Sequence, residues 1–337
     1  MPAHHPPSRA TVSTVAAAAG VSTATVSRVM SGALTVNADL AARVRRAAEE
    51  VGYHPNSAAR VLASGMHRCI AVVIPDAANP YFLEVIKSVL LSAAGEGYRT
   101  LVADSQGDPI EELSISRSLV GTVDGLILLS SRISADGLRE IPRWGIPTVL
   151  VNRRELGVEI PMVAIDNFSA MLALCGHLAE LGHKRVAYLG GSPLAWQNQE
   201  RWRAVQQAAV LGLEATLIEG DGSIEAGRLA AASAIMQDVT ALVCFNDLAA
   251  IGAISLLREE GLRVPQDISV TGFDDIALAR YGDLRLTTAR TSRADLGRQA
   301  WDLLHGKLVG EKTDLAMPLL KAEVIIGEST GVAATVR

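Results

Sequence analysis

Aromatic residues are scarce. Phe, Trp and Tyr make up 4% of the 337 residues, although 49% of the chain is hydrophobic. A sizeable core is therefore expected, and Val, Ile, Leu and Ala must fill it. Cysteine is scarcer still. Cys69, Cys175 and Cys244 lie far apart with no C-x-x-C pair. That pattern argues against a zinc ribbon or a disulfide scaffold and suits a reducing compartment. No run of about 18 uncharged apolar residues occurs, so no membrane-spanning helix is expected. The opening MPAHHPPSRA has no apolar segment of the kind a secretory leader carries, which predicts a cytoplasmic location. G-x-x-x-x-G-K-[ST] and G-x-G-x-x-G are both missing, which removes support for a nucleotide-hydrolysing or dinucleotide-binding enzyme.

Two motifs match catalytic or metal-binding patterns only superficially. GESTG at 327–331 fits G-x-S-x-G, the nucleophile elbow. Only six residues follow it, too few for the helix that should come next, and no histidine lies beyond Ser329. His177 and His183 are six apart, about 240° around a helix, and so share no metal-facing side. No catalytic residue, metal or cofactor is assigned, and the chain is not expected to be an enzyme.

Charge is distributed unevenly. Residues 1–68 hold seven arginines against Asp39, Glu49 and Glu50, a local charge of +4; the whole chain is −5, so the remainder is −9. A basic arm on an acidic body points to a polyanionic partner for the arm.

That arm contains GVSTATVSRVMSG at 20–32. Ser, Thr and Val are weak helix formers in an interior, yet the stretch is framed as a helix. Thr11 is placed to cap a helix from Val12 to Ala19, which Gly20 ends. Ser22 is placed to cap a second, Thr23 to about Met30, with Val26, Val29 and Met30 inward. Helix, Gly-containing turn, helix is the helix-turn-helix pattern. The outer face of the second helix presents Thr23, Ala24, Thr25, Ser27 and Arg28, small groups and one guanidinium that suit close approach to DNA in a major groove. A third helix follows Asn37. In YHPNSAARVLASG, Asn56 is placed to cap a short helix from Ser57 to Ala63 that is too short to be stable alone. The segment is either a flexible linker or a helix that folds only when docked, with Leu62 as an apolar wedge.

From Cys69 onward, short apolar runs alternate with helical segments: CIAVVIP, DGLILLS, PTVLVNR, VAIDN, RVAYLGG, ALVCFND and ISVTGFDD among them. Near-continuous apolar strands predict parallel sheets covered on both faces, and the length predicts two lobes. In such folds ligands bind beyond the carboxyl ends of strands. There the chain places Asn152, Arg153, Asp166, Asn246, Asp247, Asp274 and Asp275. Tyr81 and Phe82 follow the first strand, and Trp196, Gln197 and Arg201 follow GGSP. Such residues offer bidentate hydrogen bonds to vicinal hydroxyls and aromatic faces to a ring. Asp247 and Asp275 are also expected to cap the helices that follow them.

AGVS-x-x-TVSRV followed by YHPNSAARVLASG resembles the DNA-binding and hinge region of the lactose-repressor (LacI/GalR) family of bacterial transcription regulators. NPYF, the Arg201 region, FND at 245–247 and GFDD at 272–275 extend the resemblance over nearly the whole chain. The resemblance implies a small all-α helix-turn-helix domain (1–54) and a hinge helix and linker (55–68). A two-lobed α/β core similar to periplasmic binding proteins, with parallel sheets, would follow (69–337). Lobe 1 would span about 69–165 plus a return near 290–320, and lobe 2 about 166–289 plus the C-terminal strand. It further implies a homodimer on double-stranded, palindromic operator DNA, with a small polar effector, sugar or nucleoside-like, in the interlobe cleft. Thr11, Ser22, Thr23, Ala24, Thr25, Ser27, Arg28, Tyr53, Asn56, Ala59 and Leu62 are the candidate DNA-binding residues. Arg201, Asn246 and Asp274 would hold the effector, with Tyr81, Phe82, Arg153, Asp166 and Gln197 around it. Three positions depart from the family pattern: Thr14 where Asp is usual, Gly222 where several members carry a pocket aromatic, and Ala195 where purine-binding members carry a basic residue. No leucine heptads follow the last strand, so a dimer is expected without an added tetramerisation helix. The alternative is a solute-binding protein of the same core fold with no role on DNA.

Overall fold

The computed structural model describes residues 10–30, 36–53, 65–311 and 319–334. The chain divides into two units, Met1–His67 and Arg68–Arg337, one residue before the expected start of the core at 69.

In the first unit α1 spans Val12–Ala19, α2 Thr23–Met30 and α3 Ala38–Glu50. Local chemistry sets the start of each helix and the end of α1. Thr11 Oγ1 accepts from Thr14 N–H, and Thr11 N–H donates to Thr14 Oγ1, both at 3.3 Å. Thr14, one of the departures from the family pattern, thus completes a reciprocal capping box. Gly20 adopts φ 62° and ends α1, a conformation glycine reaches without strain. Ser22 Oγ accepts Thr25 N–H at 3.2 Å to start α2. Val15, Val26 and Val44 are fully buried at the centre, ringed by Ala16, Ala19, Val29, Ala41, Ala47 and Ala48. Tyr53 packs partly buried against this cluster. Asn56, Ala59, Leu62 and the helix expected over 57–63 lie outside the described residues.

The second unit holds β1 (Cys69–Ile74), β2 (Arg99–Asp104), β3 (Gly125–Leu129), β4 (Thr148–Val151), β5 (Met162–Ile165), β6 (Arg185–Leu189), β7 (Glu214–Ile218), β8 (Ala241–Cys244), β9 (Ser269–Thr271), β10 (Thr288–Thr291), β11 (Leu319–Leu320) and β12 (Ala322–Ile325). The helices between them are α4 (Pro80–Gly95), α5 (Pro109–Ser118), α6 (Ala135–Glu140), α7 (Asn167–Glu180), α8 (Trp196–Gln207), α9 (Ile224–Ala234), α10 (Asp247–Glu259), α11 (Ala277–Tyr281) and α12 (Arg293–Leu308). One parallel sheet runs β11-β5-β4-β3-β1-β2, and a second runs β7-β6-β8-β9. The inner strands GLILL, TVLV, MVAI and ALVC are buried throughout, whereas the edge strands β2 and β7 are largely exposed. Continuous apolar runs are what two-sided burial demands.

The chain passes from the first sheet to the second after β5. It returns after β10, because α12 packs on α4 and over β3, β4 and β5. β11 then pairs with β5, and β12 runs antiparallel to β10. In the second sheet α9 and α10 cross closely. A Cβ on Gly227 would lie 2.2 Å from Ala249 O, and one on Gly252 would lie 1.9 Å from Ile224 O. This contact fixes α10, whose N-cap is Asn246.

The C-terminal segment is a tie. Ser329 is buried; its Oγ donates to Val270 O at 2.6 Å and accepts from Thr287 N–H at 2.8 Å. The G-x-S-x-G match is therefore a structural hydroxyl. His177 pairs with Thr330, and His183 pairs with Thr240, Ser269 and Gly331. Among the described residues no cluster of His, Cys, Asp or Glu could hold a metal, and no helix is long and apolar enough to cross a membrane.

Candidate functional site

The surface of α2 is made of small groups. Thr23, Ala24, Ser27 and Arg28 are exposed, and Thr25 is half-buried. The hydroxyls of Ser22 and Thr25 lie 2.9 Å apart within the cap. Arg28 Nε donates to Ala24 O at 3.3 Å. No acid lies on α2. Such a face approaches a polyanion without repulsion.

The second unit contains a cavity of about 470 Å³ at the carboxyl ends of both parallel sheets. Several residues that line it sit just beyond strand ends in left-handed backbone: Gln106 (φ 53°), Ser130 (φ 56°), Asn152 (φ 54°) and Asp274 (φ 111°). Each such non-glycine residue costs about 1–3 kcal/mol, so the surrounding fold holds the site against strain.

Arg201 on α8 is the centre of the polar lining and is 3% exposed. Its Nε donates to Asn167 Oδ1 at 2.9 Å, Nη1 to Phe245 O at 2.5 Å and Nη2 to Asp274 Oδ1 at 3.4 Å. The guanidinium stacks over Phe273, 3.6 Å from the ring centroid. Asp274 is pushed up to about 6 by burial, against the pull of Arg201 and Arg293. Arg293 donates to the Asp274 carbonyl and to Glu84. Across the cavity Asn152 Nδ2 donates to Tyr81 Oη at 3.0 Å, and burial raises the Tyr81 hydroxyl. Gln197 Nε2 donates to Ser130 Oγ at 2.6 Å, and Arg132 Nη1 donates to Gln197 Oε1 at 3.3 Å. Arg132 is lowered to about 10, by burial first and by Arg153 and Arg201 after it, with Glu112 opposing.

Tyr81, Phe82, Gln197, Arg201, Asn246 and Asp274 all line this cavity. Two expected residues do not. Arg153 turns away: its Nη1 donates to Ser131 O and Ile133 O, and its Nη2 binds Glu155 at 2.6 Å. It holds the backbone after β3 and is not among the residues that line the cavity. Asp166 caps α7, accepting Ser169 N–H at 3.0 Å. The expected capping roles of Asp247 and Asp275 are also corrected. Asn246 is the cap of α10, accepting Ala249 N–H at 2.8 Å. Asp247 accepts from Thr288 Oγ1 and Ile276 N–H, and Asp275 binds Arg280 and Arg290.

Arg132, Ser130 and Phe245 line the cavity without having been singled out. Phe245 was legible in FND, and the structure explains Gly222 beside it. A Cβ on Gly222 would meet the Phe245 ring at 2.8 Å. The aromatic wall thus comes from Phe245, and the glycine makes room for it.

A helix-turn-helix unit joined to two parallel sheets around a polar cavity defines a DNA-binding regulator with a ligand-binding core. Residues 11–56 match the model of the bacterial regulatory proteins, lacI family, and residues 175–330 match the periplasmic binding protein-like domain. The HTH-type transcriptional repressor CytR of Escherichia coli K12 is 35% identical over 328 residues, 95% of this chain and 96% of that protein. The repressor PurR of Haemophilus influenzae PittEE is 32% identical over 307 residues, 88% of this chain and 90% of that protein. Among solved structures, the lac repressor dimer bound to operator and the anti-inducer ONPF superposes with a TM-score of 0.86 at 25% identity, covering 96% of this chain and 99% of that one. The complex of the regulator CelR with cellobiose gives 0.70 at 28% identity, covering 95% of this chain and all of that one. This chain belongs to the lacI family of bacterial regulatory proteins. It is a DNA-binding transcriptional regulator and not an enzyme, and a solute-binding role without DNA is not favoured.

Proposed function

We propose that the protein is a cytoplasmic repressor that binds a palindromic operator as a homodimer and changes its operator affinity when a small polar effector, sugar or nucleoside-like, enters the cavity. The observation that carries this reading is the pairing of Arg201 with Asp274 beside Asn152, Asn246 and Gln197, walled by Tyr81, Phe82 and Phe245. These groups match vicinal hydroxyls on a ring with an apolar face. The cellobiose bound by CelR and the operator bound by the lac repressor dimer support the two halves of the reading.

On this reading α2 enters the major groove, with Tyr53, Asn56 and Ala59 contacting backbone or minor groove and Leu62 wedging between bases. Dimerisation fits the exposed edges of both sheets. Leu83, Leu90 and Leu91 on α4, Leu101 and Val102 on β2, and Leu217 on β7 are large apolar side chains open to solvent, and a second copy would cover them. An effector acts only through its different affinities for the two lobe arrangements.

The test is a thermal-shift screen of sugars and nucleosides, followed by operator gel shifts with each stabilising compound. A ligand at 100 Kd adds about 2.7 kcal/mol to stability. A screen in which neither class stabilises the protein would remove the effector assignment; hits that leave operator affinity unchanged would remove the coupling.

A further inference from the structure

The strongly discriminating hydrogen bonds to bases come from long or branched polar side chains, Arg or Lys on guanine, Asn or Gln on adenine, Asp or Glu on cytosine, whereas Ser and Thr hydroxyls bond to several bases alike. None of these lies between Ser22 and Ser27. The hydroxyls of Ser22 and Thr25 are occupied with each other, and Ser22 Oγ also takes the Thr25 N–H. Arg28, the nearest long donor, bonds through Nε to the Ala24 carbonyl. At the exposed pair Thr23–Ala24, what is left is one hydroxyl and two adjacent methyl groups.

A methyl group in the major groove distinguishes thymine from the other three bases. We infer that Thr23 and Ala24 select a thymine in each half-site, packing its C5 methyl against Ala24 Cβ and Thr23 Cγ2. The discrimination comes from excluding water between methyls. This rests on the reading of α2 as the DNA-facing helix and adds the base it prefers. It also accounts for a helix of hydroxyls and β-branched residues: a longer side chain at either position would hold the helix off the thymine.

The experiment begins by selecting an operator from random duplexes with the full chain. A pool that enriches no sequence would overturn the regulator reading together with this inference. Each thymine of the selected operator is then replaced by deoxyuridine, which removes only the methyl. One thymine per half-site should lose about fourfold in affinity, the factor that burial of one methyl corresponds to. Ala24→Gly and Thr23→Ser are measured on the same pair of operators. The glycine weakens the helix, but it does so equally for thymine and uracil, so the ratio between them reads only the contact. Loss of that ratio in either variant supports the inference. Uridine substitutions without effect, or a ratio preserved in both variants, would overturn it and leave the small residues as mere clearance.

Discussion

The two units use opposite physics at their functional surfaces. On α2 the candidate groups are, apart from Arg28, short, and all but Thr25 are exposed, set on a helix whose start is fixed by a local cap. Around the cavity they are buried, strained at the backbone and shifted in protonation: Arg201 is 3% exposed, and Asp274 stands at φ 111° with its carboxyl near 6. A polyanion many times longer than the contact can be held by exposed, screened charges acting additively. A small neutral ligand makes few contacts, so each must be desolvated and held in place beforehand. Mutations should therefore behave differently in the two units.

The largest effect is expected at Arg201. Removing one partner of a buried ion pair costs about 3–5 kcal/mol because the other charge is left unpaired. Arg201→Ala should lower core stability by that order and reduce effector affinity more than 100-fold. Unliganded operator binding by the protein that remains folded should be little changed. Calorimetry showing normal effector binding would break the assignment.

Next come the two arginines that the structure separates. Arg153→Ala strips partners from Ser131 O, Ile133 O and Glu155, and each buried unsatisfied group costs about 1–3 kcal/mol. Its effect should fall on thermal stability. Arg132 lines the cavity, so its loss should fall first on the effector. Arg132→Ala should weaken the effector about tenfold, on the order of one charge-assisted hydrogen bond, and, since among the described residues its Nη1 donates only to Ser130 O and Gln197 Oε1, should lower the melting temperature less than Arg153→Ala does. Equal stability losses in both variants would erase the distinction.

On the other unit the expected losses are graded. Arg28→Ala should weaken operator binding by about 1–3 kcal/mol. The slope of log K against log salt should fall by roughly 0.9 if Arg28 neutralises a phosphate. The effector's own affinity should not move. Titrations at several salt concentrations read both quantities, and an unchanged operator affinity would take Arg28 out of the interface.

How far the sequence anticipated each unit follows the same division. Caps are local: Thr11, Gly20 and Ser22 sit within four residues of the groups they satisfy, so the helix ends of the first unit were readable. Strand runs were readable as well, because two-sided burial leaves a continuous apolar stretch. Side-chain direction beyond a strand end was not. Asn152 takes φ 54°, and this single left-handed residue turns the chain so that Arg153 points back to the loop after β3. Arg132 occupies the cavity instead, through a contact with Gln197 that is 65 residues away in sequence. Asp166 shows the same limit: a carboxylate after a strand either faces the cleft or caps the next helix, as Asp166 does, and only the backbone path decides between them.

The smallest effect expected is a pH dependence confined to the core. His183 is buried, with its ring nitrogens against Thr240 Oγ1 at 2.7 Å and against Ser269 Oγ and Gly331 O at 3.1 Å. Burial lowers its pKa, opposed by the Gly331 carbonyl and reinforced by His177. The unfolded chain therefore takes up the proton first, near pH 6.5. The contribution of this group is fully present above that value and is lost as pH falls from there toward the folded pKa. Asp274 acts in the opposite sense. Its carboxyl is raised to about 6, so the folded protein holds a proton that the unfolded chain has released, and this group's contribution grows as pH falls through the same range. The wild-type slope mixes these two with Asp247, which burial raises to about 8, and with His177, which burial lowers. The clean quantity is the difference in melting temperature between wild type and His183→Asn at each pH, since Asp274 is common to both. That difference should shrink as pH is lowered from 7.5 to 5, because only the wild type has a histidine at position 183 to protonate. A difference that is constant with pH would mean that His183 stabilises the tie between β8, β9 and the C-terminal segment through its hydrogen bonds alone.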